Sequence, residues 1–273
     1  MSAPFAKAFN TQDLMNRIMP GAGQTGTSIF DPVLTELLIR WFSPLGGSIL
    51  DPFAGGSVRG IVAAKLGRKY AGVDLREEQC AANRLQADMI LAEGDPKPIW
   101  ISGDSREALP GAPGGPYDMI LTCPPYGDLE TYSLDPRDIS NFTPDKFDEA
   151  CRQIIAAACA RLKPDRFAAI VIGDYRDEAG FYQNFPGKTV SAFEAAGLRL
   201  YNEAILLTAI GSLPIRAGKQ FSGSRKFGKT HQNVLIFCKG DPKAATAACG
   251  MIDISTELFP EADDGLSDGP DSA

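Results

Sequence analysis

The chain has 273 residues, 44% of them apolar and 22% charged, the proportions of an ordinary soluble domain with a sizeable core, and no apolar run of about 18 residues that would cross a membrane. Six scattered cysteines (Cys80, Cys123, Cys151, Cys159, Cys238, Cys249) form no CxxC pair and His231 is the single histidine, which excludes a disulfide framework and a zinc or multi-histidine metal site and fits free thiols in a reducing cytoplasm. The formal net charge is −7, but eight of the 34 acids and one of the 27 bases lie in residues 241–273, leaving 26 of each sign before them, so the acidic balance does not argue against a nucleic-acid partner for the body.

Taken in chain order, Met1 to Pro20 lacks a basic start followed by an apolar stretch, so no secretory signal is expected. Residues 1–23 read as a flexible N-terminal segment. A helix is expected over 31–42, with Asp31 as N-cap and Pro32 in the first turn. Strand and helix signals then alternate: strand 48–51, helix 58–66, strand 69–74, helix 77–91, strands 99–102 and 118–122, helix 147–162, strand 167–173, and helix 189–196 closed by Gly197. Two apolar segments follow, 198–210 and 232–239, with no intact helix expected between them, so they should pair antiparallel. The alternation predicts an α/β fold, mostly parallel with a C-terminal antiparallel hairpin, over a domain of 24–240. Residues 241–273, Ala-rich and then acidic, read as a disordered tail.

Two stretches carry chemistry. Asp51-Pro-Phe-Ala-Gly-Gly-Ser57 follows a strand and opens a helix; glycines there let the backbone turn tightly and approach a ligand at a helix N-terminus. Asp74, 23 residues after Asp51 at the end of the next strand, is placed to accept hydrogen bonds from two ribose hydroxyls. Asp104, after the third strand, is placed to accept from an adenine amino group. Three acids at three successive strand ends form a constellation, because open α/β sheets bind ligands at that edge. No GxxxxGK[ST] occurs, which argues against a triphosphate. The second stretch is Cys123-Pro-Pro-Tyr126, directly after a buried strand. Two prolines fix the backbone and make the carbonyls near Cys123 and Pro124 rigid acceptors, while Tyr126 offers a face on which a base can stack. An exocyclic base amine is a poor nucleophile because its lone pair is conjugated with the ring. Acceptors for its N–H groups can turn that lone pair toward a methyl sulfonium, so positioning and electrostatics suffice without a metal.

On these residues the chain resembles the DNA amino-methyltransferase family, which makes N4-methylcytosine and N6-methyladenine. The family's Phe-containing segment is matched by Thr27-Ser-Ile-Phe30-Asp-Pro32, its DPFxGSG turn by residues 51–57, its (D/N/S)PPY motif by Cys123-Pro124-Pro125-Tyr126, and its final strand by residues 229–240. The resemblance implies a seven-stranded Rossmann-like methyltransferase sheet. It implies S-adenosyl-L-methionine (SAM) held by Phe30, Asp51, Phe53, Gly55, Gly56, Ser57, Asp74 on the ribose and Asp104 on the adenine, and direct methyl transfer to a flipped base without a covalent intermediate. Two departures stand out. Gly56-Ser57 inverts the usual order, and Cys123 replaces the residue whose side chain accepts from the target amine. A thiol is a weak acceptor, so more of that task falls on the Pro124 carbonyl or on Asp128. Cys is nearest Ser in size, and the Ser form goes more often with cytosine N4, which tilts the expectation toward cytosine.

Between Ala204 and Gly240 there are six bases and no acids. Arg216, Lys219, Arg225, Lys226 and Lys229 are expected in one loop, 211–230, with Phe221 and Phe227 interleaved, a phosphate-binding candidate. Phe221, Phe227 or Tyr132 are candidates to hold the gap left by a flipped base. His231 is expected to have a structural place at a strand end. The chain leaves no room for a large recognition domain, so specificity should be short or relaxed, or supplied by a homodimer mate or a separate partner. The main alternative substrate is RNA. A different class is a non-catalytic nucleic-acid-binding module that keeps the fold, a reading that Cys123 keeps open.

Overall fold

The computed structural model describes residues 29–127, 132–208 and 213–252. Asp128 and residues 253–273 lie outside them, as do residues 1–28. Helix α1, Pro32–Phe42, starts as its sequence dictates: Asp31 Oδ1 accepts from the N–H groups of Val33 and Leu34 at 2.8 and 2.9 Å, satisfying donors that no helical carbonyl reaches.

A seven-stranded sheet forms the frame. Its strands are β1 (Ser48–Asp51), β2 (Lys69–Asp74), β3 (Ile99–Ser102), β4 (Tyr117–Thr122), β5 (Leu162–Ile172), β6 (Arg199–Leu207) and β7 (His231–Lys239), in the order β3-β2-β1-β4-β5-β7-β6. The first five run parallel; β7 runs antiparallel to both neighbours, as the two late apolar segments predicted. Helices cover both faces: α2 (Val58–Lys65), α3 (Glu77–Ile90), α4 (Ser105–Ala108), α5 (Pro144–Ala160), α6 (Phe185–Ala195), α7 (Leu213–Ser224) and α8 (Pro242–Cys249).

Because alternate strand residues face opposite sides, the apolar runs split into two cores. Leu50, Ile120, Ile170 and Phe237 pack with Phe147, Ile154 and Phe193 under α5 and α6, where Phe193 stacks on Phe237 at 4.1 Å. Ile49, Met119, Leu121, Val171 and Ile236 pack with Leu38, Ile39, Ile61 and Val62 on the other side. Both faces are buried, so the central strands read as continuous apolar runs rather than alternating ones. At the amino ends of the strands, Asp118 of β4 accepts from Ser48 N–H of β1 at 3.0 Å and from Lys163 and Arg166 of β5 at 2.8 and 3.1 Å. This ties three strands together at the edge opposite the glycine-rich turn.

Two expectations are corrected. The segment 211–230 is not one open loop, because 213–224 are helical. Pro214 sits in the first turn, where its missing N–H costs nothing, Leu213 docks on Gly228, and Arg225 closes the helix at φ +55 with its N–H bonded to the Phe221 carbonyl at 2.8 Å. Gly218 and Gly223 hide this helix from a propensity reading. The second correction concerns the boundary at Gly240. Asp241 caps α8 through the N–H groups of Lys243 and Ala244, and Ala245 is fully buried in the second core, so an Asp-Pro start and an Ala-rich run extend the packed domain through Cys249.

Candidate active site

The glycine-rich turn, residues 51–57, joins β1 to α2 at the carboxyl edge of the sheet. Asp51 is 0% exposed, and four groups donate to its carboxylate: Phe53 N–H (3.1 Å), Arg59 Nε (2.6 Å), Tyr70 Oη (2.8 Å) and Thr122 Oγ1 (2.6 Å). Asp51, one of the residues expected at the cofactor, is thus engaged by four donors of the protein itself.

Four consecutive carbonyls of the turn are pinned by side chains. Ser105 Oγ donates to Pro52 at 2.6 Å, Arg59 to Phe53 and Ala54 at 2.7 and 3.0 Å, and Asn83 Nδ2 to Gly55 at 2.7 Å. Among the N–H groups, that of Ala54 donates to the Val73 carbonyl at 2.9 Å and that of Gly55 to Asp74 Oδ2 at 3.0 Å. Gly72 lets β2 approach: a Cβ there would lie 2.8 Å from the Ala54 Cβ. The turn is therefore set before any ligand arrives. Gly55 adopts φ +49, and no described residue lies within 4 Å of a Cβ built at Gly55 or at Gly56, so among the described residues the turn faces open space there. Ser57 bonds Gln86 rather than capping α2.

The acids at the next strand ends differ in state. Asp74 carries Gly55 N–H on one oxygen and Arg76 N–H on the other, the latter at 2.9 Å; burial raises its pKa above the ordinary 3.8, and these N–H bonds only partly offset that. Asp104 N-caps α4 through Arg106 N–H at 2.9 Å and is bridged by the Arg106 guanidinium at 2.5 to 3.1 Å. Burial pushes its pKa up, but the Arg106 bonds win and hold it below 3.8. Asp104, expected to be open to a ligand, is thus engaged by Arg106. Phe30 lies under the Arg59 guanidinium at 4.5 Å, which brings the segment before α1 to the turn, while Phe53 packs into the first core.

Cys123, Pro124, Pro125 and Tyr126 begin one residue past β4. The Thr122–Asp51 hydrogen bond makes this segment contiguous with the glycine-rich turn. Pro124 is buried. Tyr126 is half-buried, its hydroxyl accepting from Gln232 Nε2 at 2.6 Å and its ring meeting Phe185 edge-on at 6.5 Å. Cys123 Sγ lies 3.8 Å from the Tyr126 hydroxyl. Gly127 takes φ +56, and a Cβ there would lie 2.6 Å from the Tyr175 ring, so only glycine fits behind the motif.

Of the basic residues, Lys219 is exposed on α7 and the Arg225 guanidinium lies 5.0 Å over Phe221. Lys226 rests on Gly180, and Lys229 Nζ lies 5.9 Å from the Tyr182 ring, with its pKa lowered by burial although Asp174 opposes that. Arg216 is carried on α7. His231 is exposed at the start of β7. Sequence reasoning missed Arg59, Asn83, Ser105, Gln232 and Arg176. Only Arg59 left a signal, a cation near the start of the Val58–Lys65 helix, whose residues between it and Lys65 are all glycine or apolar. Among the described residues no group of three or more His, Cys, Asp or Glu is arranged to hold a metal ion.

Residues 24–84, the stretch that contains the glycine-rich turn and Asp74, match a family model described as DNA methylase. The Type II methyltransferase M2.DpnII of Streptococcus pneumoniae is 32% identical over 80 residues, which span 29% of this chain and 30% of that protein. Among solved structures, TrmN from Thermus thermophilus superposes with a TM-score of 0.51 at 18% identity, over 79% of this chain and 51% of that one. Magnesium protoporphyrin IX methyltransferase (ChlM) from Synechocystis PCC 6803 with bound SAH does so with a TM-score of 0.50 at 13% identity, over 85% and 95%. At these identities the two structures speak for a shared fold alone. The family model and the streptococcal relative support the resemblance to the DNA amino-methyltransferases; Cys123 to Tyr126 lies outside the family-model match.

Proposed function

We propose that this chain transfers a methyl group from SAM to an exocyclic amino group of a base in DNA, with N4 of cytosine favoured over N6 of adenine. One observation carries the reading: the Asp51 carboxylate joins the pinned glycine-rich turn to Thr122, the residue before Cys123, so the turn and the segment carrying Tyr126 share one edge of the sheet. The matches to a DNA methylase model and to a Type II methyltransferase support DNA as the substrate class.

The residues present fit the cofactor. Gly55 and Gly56 bring no side chain to the turn, α2 starts behind them, and Asp74 stands at the strand end with a carboxylate for ribose hydroxyls. Asp104 reaches an adenine amino group only by sharing its oxygens with Arg106. When bound, SAM supplies an electrophilic methyl on sulfur. The chain's own contribution is positional. The carbonyls at Cys123 and Pro124 accept the amine's N–H bonds and free its lone pair, and Tyr126, held at its hydroxyl by Gln232, stacks on the base. Cys123, beside the Tyr126 hydroxyl, fills the place of the family's usual acceptor and leaves the Pro124 carbonyl as the stronger one.

The test is mass spectrometry of nucleosides from duplex DNA, single-stranded DNA and RNA, each incubated with the protein and SAM. N4-methylcytosine or N6-methyladenine in DNA supports the proposal and settles the base. A product confined to RNA moves the substrate, and no new nucleoside in any sample overturns the reading.

A further inference from the structure

The segment 173–184, between β5 and α6, is not used by the site as built above. It leaves the sheet next to β4, and its Tyr175 ring backs Gly127, the residue after Tyr126. Its conformation is fixed many times over. Asp174 Oδ1 accepts from Phe185 N–H at 3.1 Å, and Gln183 N–H donates to the Tyr175 carbonyl at 2.9 Å. Arg176 and Tyr182 pair as an antiparallel bridge. Within the turn, Gly180 N–H donates to the Asp177 carbonyl at 2.9 Å and Asp177 N–H to the Phe181 carbonyl at 3.0 Å. Asp177 Oδ1 takes the Phe181 N–H at 2.8 Å and its Oδ2 takes Gln183 Nε2 at 2.9 Å, while Arg176 donates to the Gly180 carbonyl at 2.8 Å.

At the tip of this rigid turn Phe181 stands 71% exposed. Cations flank it. The Arg176 guanidinium lies 3.7 Å over the Tyr182 ring and Lys229 meets the same ring at 5.9 Å; Lys226 lies against Gly180, the residue beside Phe181. The segment also carries three acids: Asp174 and Asp177 accept hydrogen bonds within it, and Glu178 is exposed. A presented aromatic ring on a hydrogen-bonded turn, rooted beside Tyr126 and ringed by cations, matches what opening a duplex requires. Extruding a base sacrifices its stacking, an apolar wedge refills the gap, and a turn already ordered loses little entropy on entry.

We propose that Phe181 enters duplex DNA in the space left by the target base, with Arg176, Lys226 and Lys229 on the flanking phosphates. The inference rests on the proposed base-amine methyl transfer in DNA and assigns how the base is brought to Tyr126. It replaces Phe221 as the wedge, because Phe221 stacks on Phe227 at 5.8 Å and the Arg225 guanidinium lies over its ring. Phe227, 77% exposed, lies outside any comparable turn and serves as the control.

The experiment measures methyl transfer into one sequence presented as duplex and as single strand, for the wild type, Phe181→Ala, Phe181→Trp and Phe227→Ala. Phe181→Ala is expected to lose about tenfold or more on duplex and less than about twofold on single strand, with a mismatch at the target restoring much of the duplex rate. Phe181→Trp should keep the duplex rate. Equal losses on both substrates, no loss on either, or the duplex-selective loss appearing in Phe227→Ala instead would overturn the assignment while leaving the proposed function standing. A wild type that transfers to neither DNA removes both.

Discussion

Replacing Arg59 with Met removes one cation of similar side-chain length and tests whether the glycine-rich turn is held from inside. Arg59 Nε meets Asp51 at 2.6 Å, with side-chain exposures of 5% and 0%, so the pair is dry. Burial by itself would lower the arginine's pKa, but Asp51 and Tyr70 beside it outweigh that and keep it charged. Removing one partner of a buried pair costs about 3–5 kcal/mol, because the other charge stays buried. Hydrogen bonds from Tyr70, Thr122 and the Phe53 N–H still reach Asp51 and limit the loss, while the Phe53 and Ala54 carbonyls lose donors and add to it. We expect Arg59→Met to lose about 3–5 kcal/mol out of a total of roughly 5–15, read from the urea midpoint at unchanged m-value. The double variant Arg59→Met/Asp51→Asn removes both charges and should recover part of the loss, since the two sites are coupled. At a temperature where Arg59→Met stays folded, SAM affinity measured by calorimetry should also fall, because two pinned carbonyls are released. A stability loss below about 1 kcal/mol, the size of a solvent-exposed pair, would refute the reasoning.

Asp74→Asn should change stability by less than about 1 kcal/mol, since burial already works against the charged form, yet weaken SAM by about tenfold or more through lost charge-assisted hydrogen bonds. Because the folded pKa of Asp74 lies above the ordinary 3.8, its stability contribution is complete below that value and declines as pH rises through the folded pKa; urea titrations across mild acid should show this dependence in the wild type and not in Asp74→Asn. For Asp104 the sign is opposite. Its pKa is held below 3.8, so the stability it contributes is present above that value and is lost as pH falls through the folded pKa, a loss that Asp104→Asn should not show. Tyr126→Ala should reduce turnover more than SAM affinity, by an amount equivalent to about 1–3 kcal/mol of lost stacking; full activity in steady-state assays would remove Tyr126 from the base site. Lys226→Ala and Lys229→Ala should each lower the slope of log affinity for duplex DNA against log salt by about 0.9, and an unchanged slope would take that residue off the phosphates.

The order of strands and helices was legible because apolar runs of strand length, each followed by a helical period, leave few topologies open. The carboxyl-edge position of residues 51–57, Asp74 and 123–126 followed from the same rule. Helix α7 was not legible, since Gly218, Ser222 and Gly223 argue locally against a helix. Helix α8 was legible in its Asp241-Pro242 start and was obscured by the acidic run behind it. The division of labour among the acids was also hidden. Asp51, Asp74 and Asp104 look alike as carboxylates at strand ends, but their roles depend on what donates to them.

The sequence by itself determined the fold class, the two chemical motifs and their common edge, because periodicity and turn chemistry act within a few residues and need no knowledge of distant partners. Only the tertiary structure decided that Asp51 is a sealed node, that Arg59, Asn83 and Ser105 hold the turn's carbonyls, that Arg106 engages Asp104, and that Gln232 anchors Tyr126. These bonds join residues from 2 to 106 positions apart. The short ones depend on which way a helix faces and the long ones on strand pairing and helix docking. A buried polar group takes whichever partner the packing brings within reach.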